Sequence, residues 1–235
     1  YRQRRRYTPQ LSPVKLSPSR QHQPLPFDTK GFVVISGGLG GIGRVLTQRL
    51  HDDLNIRLLL LGRSPLSEPD KAYLQSKPGL TYLQLGISDG DALQQAIALH
   101  EQLWQMPLSG VIHLAGTGSW QQQMENPDAH RVSALSADDW QTSFAAKVTG
   151  TQHLFELVNQ RPGASFVATG SVVGEFGGPG FAVYAAANGY LSAFCRAQSQ
   201  LGHATTYCHD WSSWLDTGMS QGQRPEYAAG AGYLS

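Results

Sequence analysis

The sequence predicts an α/β fold in which helices cover both faces of a doubly wound parallel sheet. Short runs of β-branched, leucine and aromatic residues alternate along the chain with longer segments whose apolar residues recur at helical spacing. The connecting segments are long enough to form crossover helices, which parallel strands require. A glycine cluster at the first strand-to-helix junction adds a candidate binding site at the carboxyl ends of the strands.

Six apolar runs are predicted to be strands. The first, Phe-Val-Val-Ile-Ser, and the second, Arg-Leu-Leu-Leu-Leu, contain almost only apolar residues, as is typical of strands buried on both faces. The predicted strands span residues 32–36, 57–61, 80–85, 110–114, 165–168 and 204–209.

Four segments between these strands are predicted to be helices. In the second of them Leu93 and Ile97 share one face, and Pro107 follows its end. An Arg-Pro-Gly sequence ends the third, and Gly202 ends the fourth. The predicted helices span residues 44–50, 91–104, 138–159 and 183–201.

The glycine cluster fits the dinucleotide fingerprint G-x-G-x-x-G at Gly38, Gly40 and Gly43, between the first strand and the first helix. Residues without a Cβ atom let the backbone turn tightly and approach a pyrophosphate, and the free amides of the new helix point at its charge. A glycine-rich turn that binds nothing is the alternative. The prediction is a Rossmann-like fold, and the candidate cofactor-binding residues of the loop are Gly37, Gly38, Leu39, Gly40, Gly41, Ile42 and Gly43.

The end of the second strand indicates which dinucleotide binds. NAD-binding folds place a carboxylate about 20 residues after the fingerprint, where it bonds the ribose 2′-hydroxyl. This chain has Arg63 and Ser64 there. Because a guanidinium bonds a phosphate bidentately and a hydroxyl adds a donor, the sequence predicts NADP(H) over NAD(H). A surface arginine that caps a strand end is the alternative.

The composition indicates one sizeable globular domain. The chain has 235 residues, of which 40% are hydrophobic and 15% charged. No apolar run is long enough to cross a bilayer, and two cysteines outside a C-x-x-C motif favour a reducing, cytoplasmic compartment. No His, Cys and carboxylate residues have metal-ligand spacing, so no metal is expected.

The charge is uneven along the chain. Residues 1–30 hold seven basic side chains and one acidic side chain. Five prolines in residues 1–26 favour an extended path, so these residues are interpreted as a linker and residues 27–235 as the catalytic domain. A basic arm that binds nucleic acid is the competing interpretation, but no recognition motif follows it.

Seven stretches, taken in order, resemble the short-chain dehydrogenase/reductase family and, more narrowly, the ketoreductase domain of modular polyketide synthases. The sharpest marker is Asn188, four residues after Tyr184, combined with Lys147; most short-chain reductases have lysine at the position of Asn188. The seven stretches lie at residues 36–43, 60–63, 110–116, 147–151, 171–184, 184–188 and 211–219.

The resemblance implies NADPH-dependent reduction of a β-ketoacyl thioester, carried on the phosphopantetheine of an acyl carrier protein, within a larger synthase of polyketide or antibiotic biosynthesis. Neither nucleic acid nor a membrane is an expected partner. An α-ketoacyl reductase domain of a peptide synthetase and a silent pseudo-reductase are the alternatives. The first seven residues resemble the closing strand of a structural subdomain that precedes the catalytic half, and a free tail is the alternative. The family's last helix and strand have no counterpart in residues 1–235, so we expect either a larger polypeptide or the absence of these elements.

The resemblance also assigns the chemistry to four side chains. Tyr184 is implied as the proton donor, Lys147 as the cation that eases its ionisation and binds the nicotinamide ribose, and Ser171 as the group that orients the substrate carbonyl. Asn188 completes the set. Each of the four residues also has a purely structural interpretation: a core tyrosine, a solvated lysine, a surface serine and a helix asparagine. Their joint spacing favours the catalytic interpretation.

Other positions are assigned in the same way. Ala115 and Gly116 are implied in cofactor binding, and the region from Trp211 through residues 220–232 is implied as a lid over the acyl chain. A plain surface loop is the alternative for the part beyond Met219. The lid and substrate residues are Phe176, Trp211, Trp214 and Met219. His113 is expected to be a histidine at the end of a strand whose ring nitrogens have hydrogen-bond partners and which has no role in proton transfer.

The chain departs from the family pattern at several positions. Gly86 replaces an aspartate that contacts adenine, Gly170 replaces a serine with little expected consequence, and residues 117–138 are expected to form an inserted loop at the mouth of the site. No Leu-Asp-Asp follows Gly116 and Ala186 is not proline, which favours A-type stereochemistry, although Phe176 stands where A-type domains have tryptophan.

Overall fold

A computed structural model describes residues 4–8, 10–15, 25–116, 132–178, 180–212, 214 and 217–220. Its centre is a six-stranded sheet in the order β3-β2-β1-β4-β5-β6, with every neighbouring pair parallel. This order confirms the predicted doubly wound α/β fold, because the chain starts in the middle of the sheet and builds outward in both directions. The strands are β1 (Phe32–Ser36), β2 (Arg57–Gly62), β3 (Leu80–Gln84), β4 (Leu108–His113), β5 (Ser165–Ser171) and β6 (Thr205–Trp211).

Seven α-helices connect or flank these strands in the described part of the chain. The predicted helix over residues 138–159 is continuous but changes character, because a π-helical segment (Ala145–Thr149) joins its two α-helical parts. The helices are α1 (Gly41–Gln48), α2 (Glu68–Gln75), α3 (Gly90–Trp104), α4 (Ala137–Phe144), α5 (Gly150–Asn159), α6 (Val172–Phe176) and α7 (Ala182–Leu201). Single π turns lie at Arg49–Asp53 and Ala145–Thr149, and 3₁₀ turns at Val132–Ala134 and Gly218–Ser220.

The core has two layers because each strand alternates its side chains between the two faces of the sheet. On one face Val34 and Phe166 pack with Leu93 of α3 and Leu154 of α5. On the other face the alternate strand residues, Ile35 among them, pack against partly buried residues of α1 and α2. Helices on both faces therefore bury the sheet completely in its centre, as the uninterrupted apolar strands predict.

Two helices were not predicted from the sequence. The helix α2 has no buried residue, so its sequence lacks apolar periodicity; its start is marked instead by the Ser67 side chain, which accepts a hydrogen bond from the Asp70 amide. The helix α6 has only five residues. Strand β5 is also longer than predicted, because its pairing with β6 continues to Ser171 opposite Trp211.

The described residues of the N-terminal arm, 4–8 and 10–15, are exposed. The predicted inserted loop lies outside the described residues from 117 to 131, and the part of the lid beyond residue 220 also lies outside them. Among the described residues, no helix is long and apolar enough to cross a membrane.

Candidate functional site

A cavity of about 480 Å³ lies at the carboxyl ends of the strands, where the glycine loop, the π-helical segment and the start of α7 meet. This is the edge at which doubly wound sheets bind their ligands. About half of its lining consists of residues that the sequence singled out: Gly37, Gly40, Gly41, Ile42, Gly43, Arg63, Ala115, Gly116, Lys147, Tyr184, Trp211, Trp214 and Met219.

The glycine loop forms a tight cradle at one end of this cavity. Gly37 has a φ of +76°, a left-handed conformation that favours glycine. The Gly40 amide donates to the Gly37 carbonyl at 3.0 Å, and α1 begins one residue later. A Cβ atom on Gly43 would lie 2.1 Å from the Gly37 oxygen. Positions 37 and 43 therefore require glycine, at the place where a pyrophosphate would approach the free amides of α1.

Two of the predicted loop residues do not line the cavity. Gly38 packs beneath the loop, where a Cβ atom would lie 2.8 Å from the Leu60 side chain, and its carbonyl accepts a hydrogen bond from the Thr47 hydroxyl at 3.1 Å. Leu39 packs against the core layer on the α1 side of the sheet. Both residues support the loop from below.

Arg63 is exposed at the rim of the cavity, and no carboxylate in the described part of the chain pairs with its guanidinium. Arg44, at the start of α1, differs in this respect because it pairs with Asp70 and lies 5.1 Å from the Tyr73 ring centre. Arg63 is thus the guanidinium at this rim that is open to an anion. Ser64 is exposed and does not line the cavity.

Lys147 lies in the π-helical segment and its ammonium is buried inside the cavity wall. It donates to the Thr169 carbonyl at 2.7 Å, and the backbone carbonyl of Lys147 accepts a hydrogen bond from the Thr151 hydroxyl at 2.8 Å. Burial lowers the pKa of Lys147 to about 8, against the opposing effect of the nearby thiols and of Asp210. The π segment therefore places a desolvated cation beside the last residues of β5.

Tyr184 lies in the first turn of α7 and lines the same cavity. Burial raises the pKa of its phenol, and hydrogen bonding to the side chains of Ser171 and Asn188 opposes this rise. The three predicted residues are thus neighbours. Lys147 binds the Thr169 carbonyl rather than the phenol oxygen.

Ser171 and Asn188 are buried behind the cavity wall and do not line it. The Ser171 hydroxyl accepts a hydrogen bond from the Val173 amide at 3.2 Å and caps α6. The Asn188 amide donates to the Tyr184 carbonyl at 2.9 Å, while its side-chain oxygen has no partner among the described residues. In this arrangement Ser171 caps α6, and Asn188 supports the first turn of α7, which carries Tyr184.

His113 is buried at the end of β4, and its two ring nitrogens have different surroundings. Its Nδ1 atom is 2.7 Å from the Ser36 hydroxyl, but its Nε2 atom is buried without a hydrogen-bond partner among the described residues. Burial and, secondly, the Lys147 charge hold the pKa of His113 well below its usual value. The ring is therefore neutral at physiological pH.

Three of the four predicted lid and substrate residues line the cavity, and one does not. The rings of Trp211 and Trp214 meet edge to face with centroids 5.0 Å apart, and both line the cavity with Met219. Gly218 closes over the glycine loop, where a Cβ atom on Gly41 would lie 2.5 Å from its nitrogen. Phe176 is 48% exposed and does not line the cavity. Thr169 and Phe181, which no sequence pattern singles out, reach the cavity through tertiary packing.

The absence of a side chain at Gly170 allows a close contact with Asp210, which the sequence did not predict. A Cβ atom there would lie 2.0 Å from an Asp210 carboxylate oxygen, which also accepts a hydrogen bond from the Ser192 hydroxyl at 2.6 Å. The two positions face each other across β5 and β6. Glycine at 170 therefore makes room for a carboxylate at 210.

No cluster of metal-ligating side chains occurs within the described ranges.

We expect Gly170→Ser to destabilise the chain by about 1–3 kcal/mol, because the carboxylate must leave Ser192 to avoid the new side chain. Denaturant unfolding measures the change. In a background that carries Asp210→Ala the same substitution should cost much less. Equal costs in both backgrounds would show that the close contact with Asp210 is not what requires glycine.

The comparisons with known proteins agree with this geometry. Residues 31–216 match the family described as KR domain. The chain is 29% identical over 211 residues to the polyketide synthase PksN of Bacillus subtilis (strain 168), and covers 4% of that protein with 86% of its own length. The chain is therefore far shorter than this curated relative.

Two solved structures show the same fold. A ketoreductase domain from the bacillaene assembly line is 25% identical with a TM-score of 0.75, over 90% of this chain and 51% of that one. The adenylation, ketoreductase and pseudo Asub multidomain structure of a keto acid-selecting NRPS module is 26% identical with a TM-score of 0.71, over 88% of this chain and 17% of that one.

Proposed function

The chain belongs to the KR domain family, matched over residues 31–216, and from this premise we propose that it is an NADPH-dependent reductase of a β-ketoacyl thioester held on an acyl carrier protein. The observation that carries the proposal is the cavity that the glycine loop, Arg63, Lys147 and Tyr184 line together. Membership of the family implies an oxidoreductase that uses a nicotinamide cofactor. The other domains of a synthase are the proposed partners, because the curated relative is a much longer protein.

The residues present fit a phosphorylated dinucleotide. The first residues of α1, Gly41 to Gly43, line the cavity, and Gly43 has no room for a Cβ atom, which would lie 2.1 Å from the Gly37 oxygen. Arg63 lies at the rim with no carboxylate from the described residues to neutralise it. When bound, NADPH supplies a hydride to the substrate carbonyl carbon.

The chain itself supplies the proton and the orientation. The Tyr184 phenol donates a proton to the developing alkoxide, and the buried Lys147 ammonium stabilises the negative charge that the phenol oxygen gains. Ser171 and Asn188 are proposed to position the phenol, since Asn188 bonds the backbone carbonyl of Tyr184 and Ser171 is buried beside it. Trp211 and Trp214 exclude water from the reacting centre.

NADPH absorbance, followed with the chain and a β-ketoacyl thioester or a decalone, tests the proposed reaction. Consumption of NADPH with formation of the β-hydroxy product supports it. A chain that binds NADPH but reduces neither substrate would instead support a silent pseudo-reductase.

Arg63→Ala tests the proposed cofactor. We expect NADPH binding to weaken about 10- to 100-fold, the usual value of a hydrogen-bonded charge, while NADH binding is unchanged because NADH lacks the 2′-phosphate. Calorimetric titration with both dinucleotides measures the effect. Arg196→Ala is the control, because Arg196 pairs with Glu175 on the surface and should alter neither affinity. Tighter binding of NADH than NADPH to the unmodified chain would overturn the assignment.

A second candidate function is reduction of an α-ketoacyl thioester. Its support is the likeness to the ketoreductase of a keto acid-selecting NRPS module. The same side chains would serve, because the hydride and the proton add to a carbonyl in both cases. Parallel assays with α-keto and β-keto thioesters of equal length distinguish the two by their kcat/KM values.

A further inference from the structure

Three consecutive backbone carbonyls at the end of β2 accept hydrogen bonds from β3 and the residue after it. The Leu85 amide donates to the Gly62 carbonyl at 2.8 Å. The Gln84 side-chain amide donates to the Arg63 carbonyl at 3.1 Å, and the Tyr82 hydroxyl donates to the Ser64 carbonyl at 2.6 Å. Gly62 and Gln84 are the last paired residues of the two strands. Side-chain donors therefore extend the contact two residues beyond the sheet.

The Tyr82 ring is fixed from several sides. It packs against the core layer on the α1 side of the sheet and crosses directly over Gly62, where a Cβ atom would lie 2.5 Å from the phenol oxygen. Burial, and secondly the charge of Asp70, raise the pKa of this phenol, so that it is a protonated donor at neutral pH. Only glycine at position 62 permits this placement.

The segment that these donors hold is the one that carries Arg63 to the cavity rim. An arginine side chain loses conformational freedom when it binds an anion, and a fixed backbone lowers that cost before the ligand arrives. Neither Tyr82 nor Gln84 lines the cavity. Their effect on a ligand must therefore pass through the backbone of residues 63 and 64.

We propose that Tyr82 and Gln84 are positioning residues for cofactor selection: by holding the Arg63 and Ser64 carbonyls, they aim the Arg63 guanidinium at the ribose 2′-phosphate. The inference rests on the proposed use of NADPH. It assigns part of the selectivity to β3, outside the fingerprint and outside the arginine itself.

The test removes each donor without changing the side-chain volume, with Tyr82→Phe and Gln84→Met. Affinities for NADPH, NADH, adenosine 2′,5′-bisphosphate and 5′-AMP are measured by calorimetry on the whole chain. We expect each variant to weaken NADPH and the bisphosphate about 3- to 10-fold, the usual value of one neutral hydrogen bond, and to leave NADH and 5′-AMP unchanged.

Matched controls are available on α7 and after α5. Tyr190 accepts a hydrogen bond from Gln152 at 2.7 Å, and Gln160 donates to Glu156 at 2.8 Å, both away from the cavity. Tyr190→Phe and Gln160→Met should leave all four affinities unchanged. Thermal unfolding of every variant identifies those that are simply less folded, in which NADPH and NADH would weaken together.

The outcomes separate this inference from the proposed function. If Arg63→Ala abolishes the preference for NADPH but both β3 variants retain it, the positioning role is wrong and the cofactor assignment stands. If the β3 variants weaken NADPH and NADH equally, their role is structural and the inference is also wrong. If the unmodified chain shows no preference for NADPH, the cofactor assignment fails and the positioning role fails with it.

Discussion

A chain in which Tyr184 is replaced by phenylalanine is expected to lose about 10²- to 10⁴-fold in reductase turnover, the usual contribution of a positioned general acid. The substitution removes one oxygen atom and leaves the ring, which lies 6.1 Å from the Phe181 ring, in place. Since burial raises the pKa of Tyr184, the phenol carries its proton throughout the neutral range and is ready to donate it. NADPH consumption at saturating substrate measures the loss.

The control for this substitution is Tyr190→Phe. Tyr190 lies on the same helix but outside the cavity, and its hydroxyl bonds only Gln152 among the described residues. Turnover should be unchanged in the control, and NADPH affinity unchanged in both variants. Full turnover in Tyr184→Phe would mean that another group donates the proton, and the proposed role of the phenol would have to be abandoned.

The features that could be predicted from the sequence are those encoded locally. The run from Phe32 to Ser36 is almost wholly apolar because β1 is buried on both faces, and its prediction as a strand is confirmed. The glycine spacing encodes a tight turn at which certain positions cannot carry a side chain, and Gly43 is such a position in the structure. Such patterns need no knowledge of distant residues.

The remaining features depend on pairs that are far apart in the chain. Gly170 requires Asp210 to explain it, and the Arg63 segment is held by Tyr82 and Gln84 from the next strand. No spacing rule links such pairs, because the sheet register that joins them exists only after folding. The burial of a side chain also depends on residues that are distant in the chain. Asn188 has catalytic spacing, yet its side chain lies behind the cavity wall.

Lys147→Met is expected to give a chain that is more stable and nearly inactive. The buried ammonium has a pKa of about 8 against an ordinary value of 10.5, so the unfolded chain binds this proton more tightly than the folded chain. The charge therefore costs folding free energy at every pH below about 8, and the cost disappears as the pH rises from about 8 to 10.5. At one pKa unit per 1.36 kcal/mol the full cost is on the order of 3 kcal/mol.

Methionine removes that cost but also removes the donor to the Thr169 carbonyl, which is worth about 1 kcal/mol. We therefore expect a net gain of about 2 kcal/mol at pH 7, measured by denaturant unfolding, and a flatter stability profile between pH 8 and 10.5. Turnover should fall about 10²- to 10³-fold, because no cation then stabilises the ionising phenol.

The pH dependence of the unmodified chain provides an independent check. Turnover should decline above about pH 8 as Lys147 loses its proton, while stability should rise over the same interval. Lys71→Met is a suitable control, because Lys71 is half exposed and pairs with Glu68 on the surface, so neither profile should change. If Lys147→Met is less stable than the unmodified chain at pH 7, the ammonium stabilises the fold through its contacts. The prediction that the buried charge lowers the folding stability while it supports catalysis is then wrong.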